Sequence, residues 1–131
     1  MASSSSLDRQ AAIELLLDRF EQPRHRGRLP SPPARAASMT NPRCGDVVTL
    51  FVDVHGEYLR HVTFEGSGCT VSQVAADVVA ELAEGQAVSS VSALQLRDVL
   101  DVLGPNLVQT RLDCAGLALR ALHQVLNTSE R

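Results

Sequence analysis

Hydrophobic and polar positions repeat along this chain with two different periods, and each change of period marks an element. From Leu7 to Phe20 the apolar residues Ile13, Leu16, Leu17 and Phe20 recur three and four apart, the signature of one helix face. The serine-rich stretch before it, about residues 1–6, reads as a mobile tail. Pro23 ends the helix. From about 22 to 43 the periodicity disappears: Pro23, Pro30, Pro32, Pro33 and Pro42 punctuate an irregular connector, which Arg24, Arg26, Arg28 and Arg35 make basic. The period then becomes two. Val48, Leu50, Val52 and Val54 share one face, with Thr49 and Asp53 on the other. His55-Gly56-Glu57 reads as a turn, and Tyr58 to Glu65 as a second strand with Val62 and Phe64 inward. So short a connection predicts an antiparallel hairpin.

After the hairpin the helical period returns. Thr70 with Gln73 fits a capping box that opens a helix with the stripe Val71, Val74, Ala75, Val78 and Leu82, closed by Gly85. Ser92 with Gln95 fits a second box, followed by Leu96, Val99, Leu100 and Leu103, and Gly104-Pro105 stops that helix. Asp113 is the expected N-cap of a last helix that turns Leu117, Ala118, Ala121 and Val125 inward. Helix, small antiparallel sheet, then several helices is an α+β order, expected to form a single domain over 1–131.

Composition narrows the possibilities. Aromatic residues make up only 3% of the chain, so the core must be built from Val, Leu and Ala. The net charge of −3, without a long run of one sign, gives nucleic-acid binding no electrostatic support. No apolar stretch approaches the roughly 20 residues that span a bilayer. The N-terminus MASSSSLDRQ lacks the basic flank and apolar block of a secretory signal, which points to the cytoplasm. Thiols stay reduced there, and cysteines more often bind metals or react than pair.

The chain has three cysteines, and none sits inside an apolar stripe. Cys44 precedes the first strand of the hairpin, Cys69 lies in a glycine-rich loop just before a helix, and Cys114 lies in the first turn of the last helix. Unpaired N–H groups and the positive end of the macrodipole at a helix start favour thiolate, the form that ligates metals and attacks electrophiles. Asp46 lies two residues beyond Cys44, so in an extended segment both point the same way. Brought together, the four would make a Cys₃Asp set suited to tetrahedral Zn²⁺ or to an iron–sulfur cluster. There is no C-x₂-C pair, so only tertiary folding could assemble it; three unrelated cysteines is the competing reading.

The flanks of these cysteines resemble a known family, the U-type iron–sulfur cluster scaffolds: IscU, SufU and the N-terminal domain of NifU. "NPRCGDVVTLFVDV" carries a Cys-Gly-Asp motif, "VTFEGSGCTVSQVAADVV" the Phe-x-Gly-x-Gly-Cys form, and "TRLDCAGLALRAL" the third cysteine opening the last helix. "LLLDRFEQPRHRGRL" resembles the family's N-terminal helix and the segment after it, with Gln22 and His25 in place of two asparagines. The resemblance runs from about Leu7 to Leu126. It implies a scaffold, rather than a turnover enzyme, that accepts sulfur from a cysteine desulfurase and holds a labile metal or [2Fe–2S] site for transfer to apo iron–sulfur proteins. Cys44, Cys69 and Cys114 would be ligands and sulfur acceptors, and Asp46 the fourth ligand, a hard oxygen that keeps the cargo labile.

Two departures bear on subfamily. Asp113 stands where IscU proteins have histidine, which makes it a substitute-ligand candidate. Leu107 to Arg111 reads LVQTR where IscU proteins have Leu-Pro-Pro-Val-Lys, which argues against docking of an Hsp70-type chaperone. Both departures are SufU-like, whereas the short gap between the second and third cysteines is IscU-like. In the SufU-type alternative the protein is a zinc-dependent sulfur acceptor that activates the desulfurase, and Cys114 leaves the metal to take the persulfide. A small structural zinc module is the remaining alternative. Arg111, three residues before Cys114, is placed to offset thiolate charge, and the basic connector could dock an acidic partner surface. The other polar candidates read as ordinary: His61, His123 and Asp77 as exposed, His55 as part of a turn, and His25 as the least constrained.

Overall fold

The computed structural model describes residues 2–30, 33–43, 45–103 and 112–128. Helix α1 (Ala2–Glu21) leads to three strands, β1 (Arg35–Asn41), β2 (Asp46–His55) and β3 (Tyr58–Ser67). These are followed by α2 (Thr70–Ala83), α3 (Val88–Ser92), α4 (Leu96–Leu103), α5 (Leu112–Ala115) and α6 (Leu117–Thr128). The strands form one antiparallel sheet in the order β1-β2-β3. The α+β expectation holds, and so does the hairpin. Alternation along β2 turns Val48, Leu50 and Val52 into the interior, opposite Val62 and Phe64 of β3. Helices α2 and α6 cover that face. With so few aromatics the core is a close-packed set of Val, Leu and Ala around Phe64. Each fully buried Val or Leu contributes about 1.5–3 kcal/mol.

Several expectations need correction. The serine run belongs to α1, which begins at Ala2, so it is not a tail set apart from the helix. The face of α1 expected to be buried is largely exposed: Leu17 and Phe20 face solvent and only Leu16 packs against the core. The connector of about 22–43 is not irregular throughout, since Arg35–Asn41 forms β1. Its inward residues Ala37 and Met39 are weakly apolar and few, too small a signal for a period-two reading. Residues 24–27 are also fixed. The Arg24 and His25 N–H groups bond to Asp77, the His25 carbonyl accepts the Phe64 N–H, and the Gly27 N–H bonds back to the Phe64 carbonyl. Backbone bonds to a carboxylate and a strand edge leave no hydrophobic period.

Helix α2 is buried from Ser72 to Ala80, not along one stripe, because the sheet, α1, α4, α5 and α6 surround it. Its small residues Ala75, Ala76 and Ala80 permit that approach. Neither capping box forms as expected. The N-cap of α2 is Cys69, without a side-chain cap bond. Ser92 ends α3, and the cap of α4 is one element later: the Gln95 N–H bonds to Asp98 Oδ2 at 2.8 Å. Asp113 lies within α5, not at its N-cap. The expected stop at Gly104-Pro105 falls outside the described residues. No described helix is long and apolar enough to cross a membrane.

Candidate metal centre

The inward row of β2 does not end with its apolar residues. Asp46, Val48, Leu50 and Val52 share one parity, so Asp46 continues the core-facing row to the end of the sheet and is only 1% exposed. Its cross-strand partner is Asn41, the last residue of β1, which is buried on the same face. Two polar residues thus close one end of an apolar sheet face. The segments that carry Cys69 and Cys114 converge there.

Asp46 is held by the loop that opens α2. Its Oδ1 accepts the Cys69 N–H at 3.0 Å, and its Oδ2 lies 3.3 Å from the Cys69 Sγ, whose thiol donates to it. Gly68 permits this approach. Its φ is +125°, and a Cβ built there would overlap the Asp46 carboxylate. Helix α5 brings in Cys114, which is 3% exposed. One ligand atom each from Asp46, Cys69 and Cys114 lie within 4.8 Å of one another. Sulfurs bound to one tetrahedral zinc sit about 3.8 Å apart, so small side-chain shifts would bring the three onto one ion. Two soft sulfurs with one carboxylate oxygen fit zinc or iron. Neither Cys69 nor Cys114 is in a disulfide.

The fourth expected ligand, Cys44, lies outside the described residues, as does Arg111. The turn around Cys44 is visible on both sides. The Gly45 N–H bonds to the Asn41 carbonyl at 2.8 Å, and Gly45 has a φ of +73°, which favours glycine at this point. Asp113 points away to the surface, where its Oδ2 lies 3.6 Å from Arg43 Nη1. It is not among the three residues brought together.

The other polar candidates differ in their surroundings. His61 is exposed, as expected, and His55 ends β2. Asp77 is not exposed but fully buried, accepting from Arg19 Nε and from the Arg24 and His25 backbone. His25 is accordingly pinned, with Nδ1 3.8 Å from Glu84. His123 keeps a buried Nε2 with no hydrogen-bond partner among the described residues, so it is not simply solvated. Asn41 was not a candidate at all. Its signal was its place at the end of β1, invisible while that strand read as connector.

Comparison with known proteins agrees with this arrangement. The family described as "NifU-like N terminal domain" matches residues 12–130. The chain belongs to that family. It is 23% identical over 128 residues to the zinc-dependent sulfurtransferase SufU of Bacillus subtilis (strain 168), covering 85% of this chain and 86% of that protein. It is 24% identical over 111 residues to the iron-sulfur cluster assembly scaffold protein IscU 1 of Archaeoglobus fulgidus, covering 85% of this chain and 71% of that one. The fold is similar to that of a nitrogen-fixing NifU-like protein (N-terminal) from Brucella abortus. The TM-score is 0.73 at 18% identity, over 88% of this chain and 91% of that one.

Proposed function

We propose that this protein is an iron–sulfur cluster assembly scaffold. It accepts sulfur from a cysteine desulfurase, holds iron and sulfide as its cargo, and passes them to apo iron–sulfur proteins. The observation that carries this reading is the convergence of Asp46, Cys69 and Cys114 at the polar end of the sheet in a chain of this family. Cys44, on the turn between Asn41 and Gly45, completes the ligand set in this reading. A resident zinc would supply a Lewis-acid centre that keeps the thiolates together and protected. The protein's own groups do the rest. In sulfur transfer the Cys114 thiolate attacks the outer sulfur of the desulfurase's persulfide. A new S–S bond forms on Cys114, the old one breaks, and the desulfurase cysteine leaves as thiolate with the electron pair. Asp46 holds the Cys69 loop through the backbone N–H and offers a hard oxygen, a weaker partner for iron than sulfur, which favours release. Cysteines outside any disulfide at Cys69 and Cys114 fit a reducing, cytoplasmic setting.

The SufU-type reading, a zinc-dependent sulfur acceptor that activates the desulfurase, has its own support. The relative from Bacillus subtilis bears that description, and Asp113 stands clear of the site. One experiment tests both readings. The protein is incubated with a cysteine desulfurase and cysteine, and persulfide is located by mass spectrometry, in the wild type and in Cys114→Ser. Persulfide on Cys114, absent in the variant, is expected. Undiminished labelling in Cys114→Ser would move the acceptor role to another cysteine, and no persulfide on either protein would leave a structural zinc module.

A further inference from the structure

We infer that Asn41 is a positioning residue for Cys114, tying that sulfur to the turn that Asn41 closes with Arg43 and Gly45; this rests on reading Cys114 as a site ligand and sulfur acceptor. The side chain of Asn41 is buried, 6% exposed, so its amide must find partners within the protein. Both ends do. Its Oδ1 accepts the Arg43 N–H at 3.1 Å, an Asx-turn that shapes the segment leading into Cys44. Its Nδ2 donates to Cys114 Sγ at 3.9 Å, within the longer reach of sulfur. The Asn41 carbonyl accepts the Gly45 N–H and so closes the same turn from its far side. One side chain therefore grips the Arg43 backbone two residues on and the sulfur of Cys114, 73 residues on.

The chemistry of the amide suits this task. An N–H donor binds a thiolate, or a metal-bound sulfur, more strongly than a neutral thiol, because the acceptor carries negative charge. Outer partners of this kind orient the atoms that touch a metal. Asn41 holds Cys114 Sγ near Asp46 and Cys69 before any ion arrives. When the sulfur leaves the site to take a sulfane atom, the same donor gives it a place to return to. At the surface Arg43 and Asp113 pair above this contact, linking the same two segments a second time.

The test uses the full chain with two substitutions. Asn41→Ala removes both side-chain bonds. Asn41→Ser keeps a hydroxyl that can close the turn onto the Arg43 N–H but is too short to reach Cys114. Metal-free protein is alkylated with iodoacetamide, and the labelling rates of Cys114 and Cys69 are read from their peptides. Separate samples are titrated with Co²⁺, following the sulfur-to-cobalt charge-transfer absorption. In both variants Cys114 should be labelled faster relative to Cys69, and Co²⁺ should be held about 10–100-fold more weakly, with reduced charge-transfer intensity. If serine restores the wild-type labelling ratio and Co²⁺ affinity, Asn41 serves only the turn and the inference is overturned. It is overturned equally if neither variant changes either readout. A wild-type chain that takes no sulfur on Cys114 defeats the acceptor reading alone, because the alkylation ratio is measured without metal or partner.

Discussion

Two buried aspartates make the most instructive pair in the molecule. Asp77 and Asp46 are both almost completely shielded from water, yet their surroundings differ in kind. Asp77 sits on α2 against a guanidinium: Arg19 Nε donates to it at 2.7 Å, and the Arg24 and His25 N–H groups add bonds at 2.9 and 2.7 Å. Its charge is balanced by a cation of the protein, and it fastens α1 and the following segment to the core. Asp46 faces thiols. It accepts from the N–H and Sγ of Cys69 and lies near Cys114, two groups that become anionic when a metal takes them. Burial alone does not tell these two acids apart; the groups they accept from do.

The sharpest way to break this contrast is Asp77→Ala. It leaves the Arg19 guanidinium, 16% exposed, without its buried partner. Arg19 keeps Glu81, so the cost is that of the buried donors left without an acceptor, about 1–3 kcal/mol. Urea denaturation should show a loss of that size, while any protein still folded keeps its Co²⁺ charge-transfer spectrum. Gly68→Ala should act on the other aspartate. The added Cβ meets the Asp46 carboxylate at a backbone conformation that costs a non-glycine residue about 1–3 kcal/mol. Its melting temperature should fall, and here Co²⁺ binding should fall with it. Asp46→Ala should leave the fold and slow cluster release to an apo-ferredoxin, followed by circular dichroism in the visible range. Transfer at the wild-type rate would remove Asp46 from its assigned role.

Much of this contrast was absent from the sequence, for physical reasons. Asp46 was legible because Cys-Gly-Asp stands at the start of a strand with clean alternation, and period two carries a side chain to a predictable face. The positions of Cys69 and Cys114 at helix starts were legible for a similar reason. Asp77 was not. On a helix read as one apolar stripe it fell off the stripe, and nothing local reveals that α1 and residues 24–27 cover that side. Strand β1 was hidden by its small residues, Ala36, Ala37 and Ser38, and Asn41 with it. Tertiary partners far along the chain decide such positions, and local periodicity does not record them.

A smaller effect is expected from pH. Burial alone would raise the Glu81 pKa, but the hydrogen bond and charge of Arg19, together with Arg24 and His25, hold it below its ordinary value of 4.5. A carboxylate with a lowered folded pKa contributes stability above its unfolded pKa and loses it as pH falls through the folded one. Denaturation midpoints should therefore drop below about pH 4.5, and Glu81→Gln should flatten that part of the profile. The smallest change is expected from Arg43→Ala. Its pair with Asp113 is exposed on both sides, which places the effect on stability under about 1 kcal/mol, measurable as a small shift in urea midpoint.

The central claim is that the thiols and the carboxylate at the end of the sheet form a labile site for sulfur and iron. Its most direct test is anaerobic reconstitution with iron and sulfide, followed by metal and acid-labile sulfide analysis and transfer to an apo-ferredoxin. The account predicts a brown protein with equal iron and sulfide, both lost in Cys69→Ser, and cargo that moves to the acceptor. A colourless protein that binds zinc alone, resists chelators and yields neither sulfide nor persulfide would contradict it.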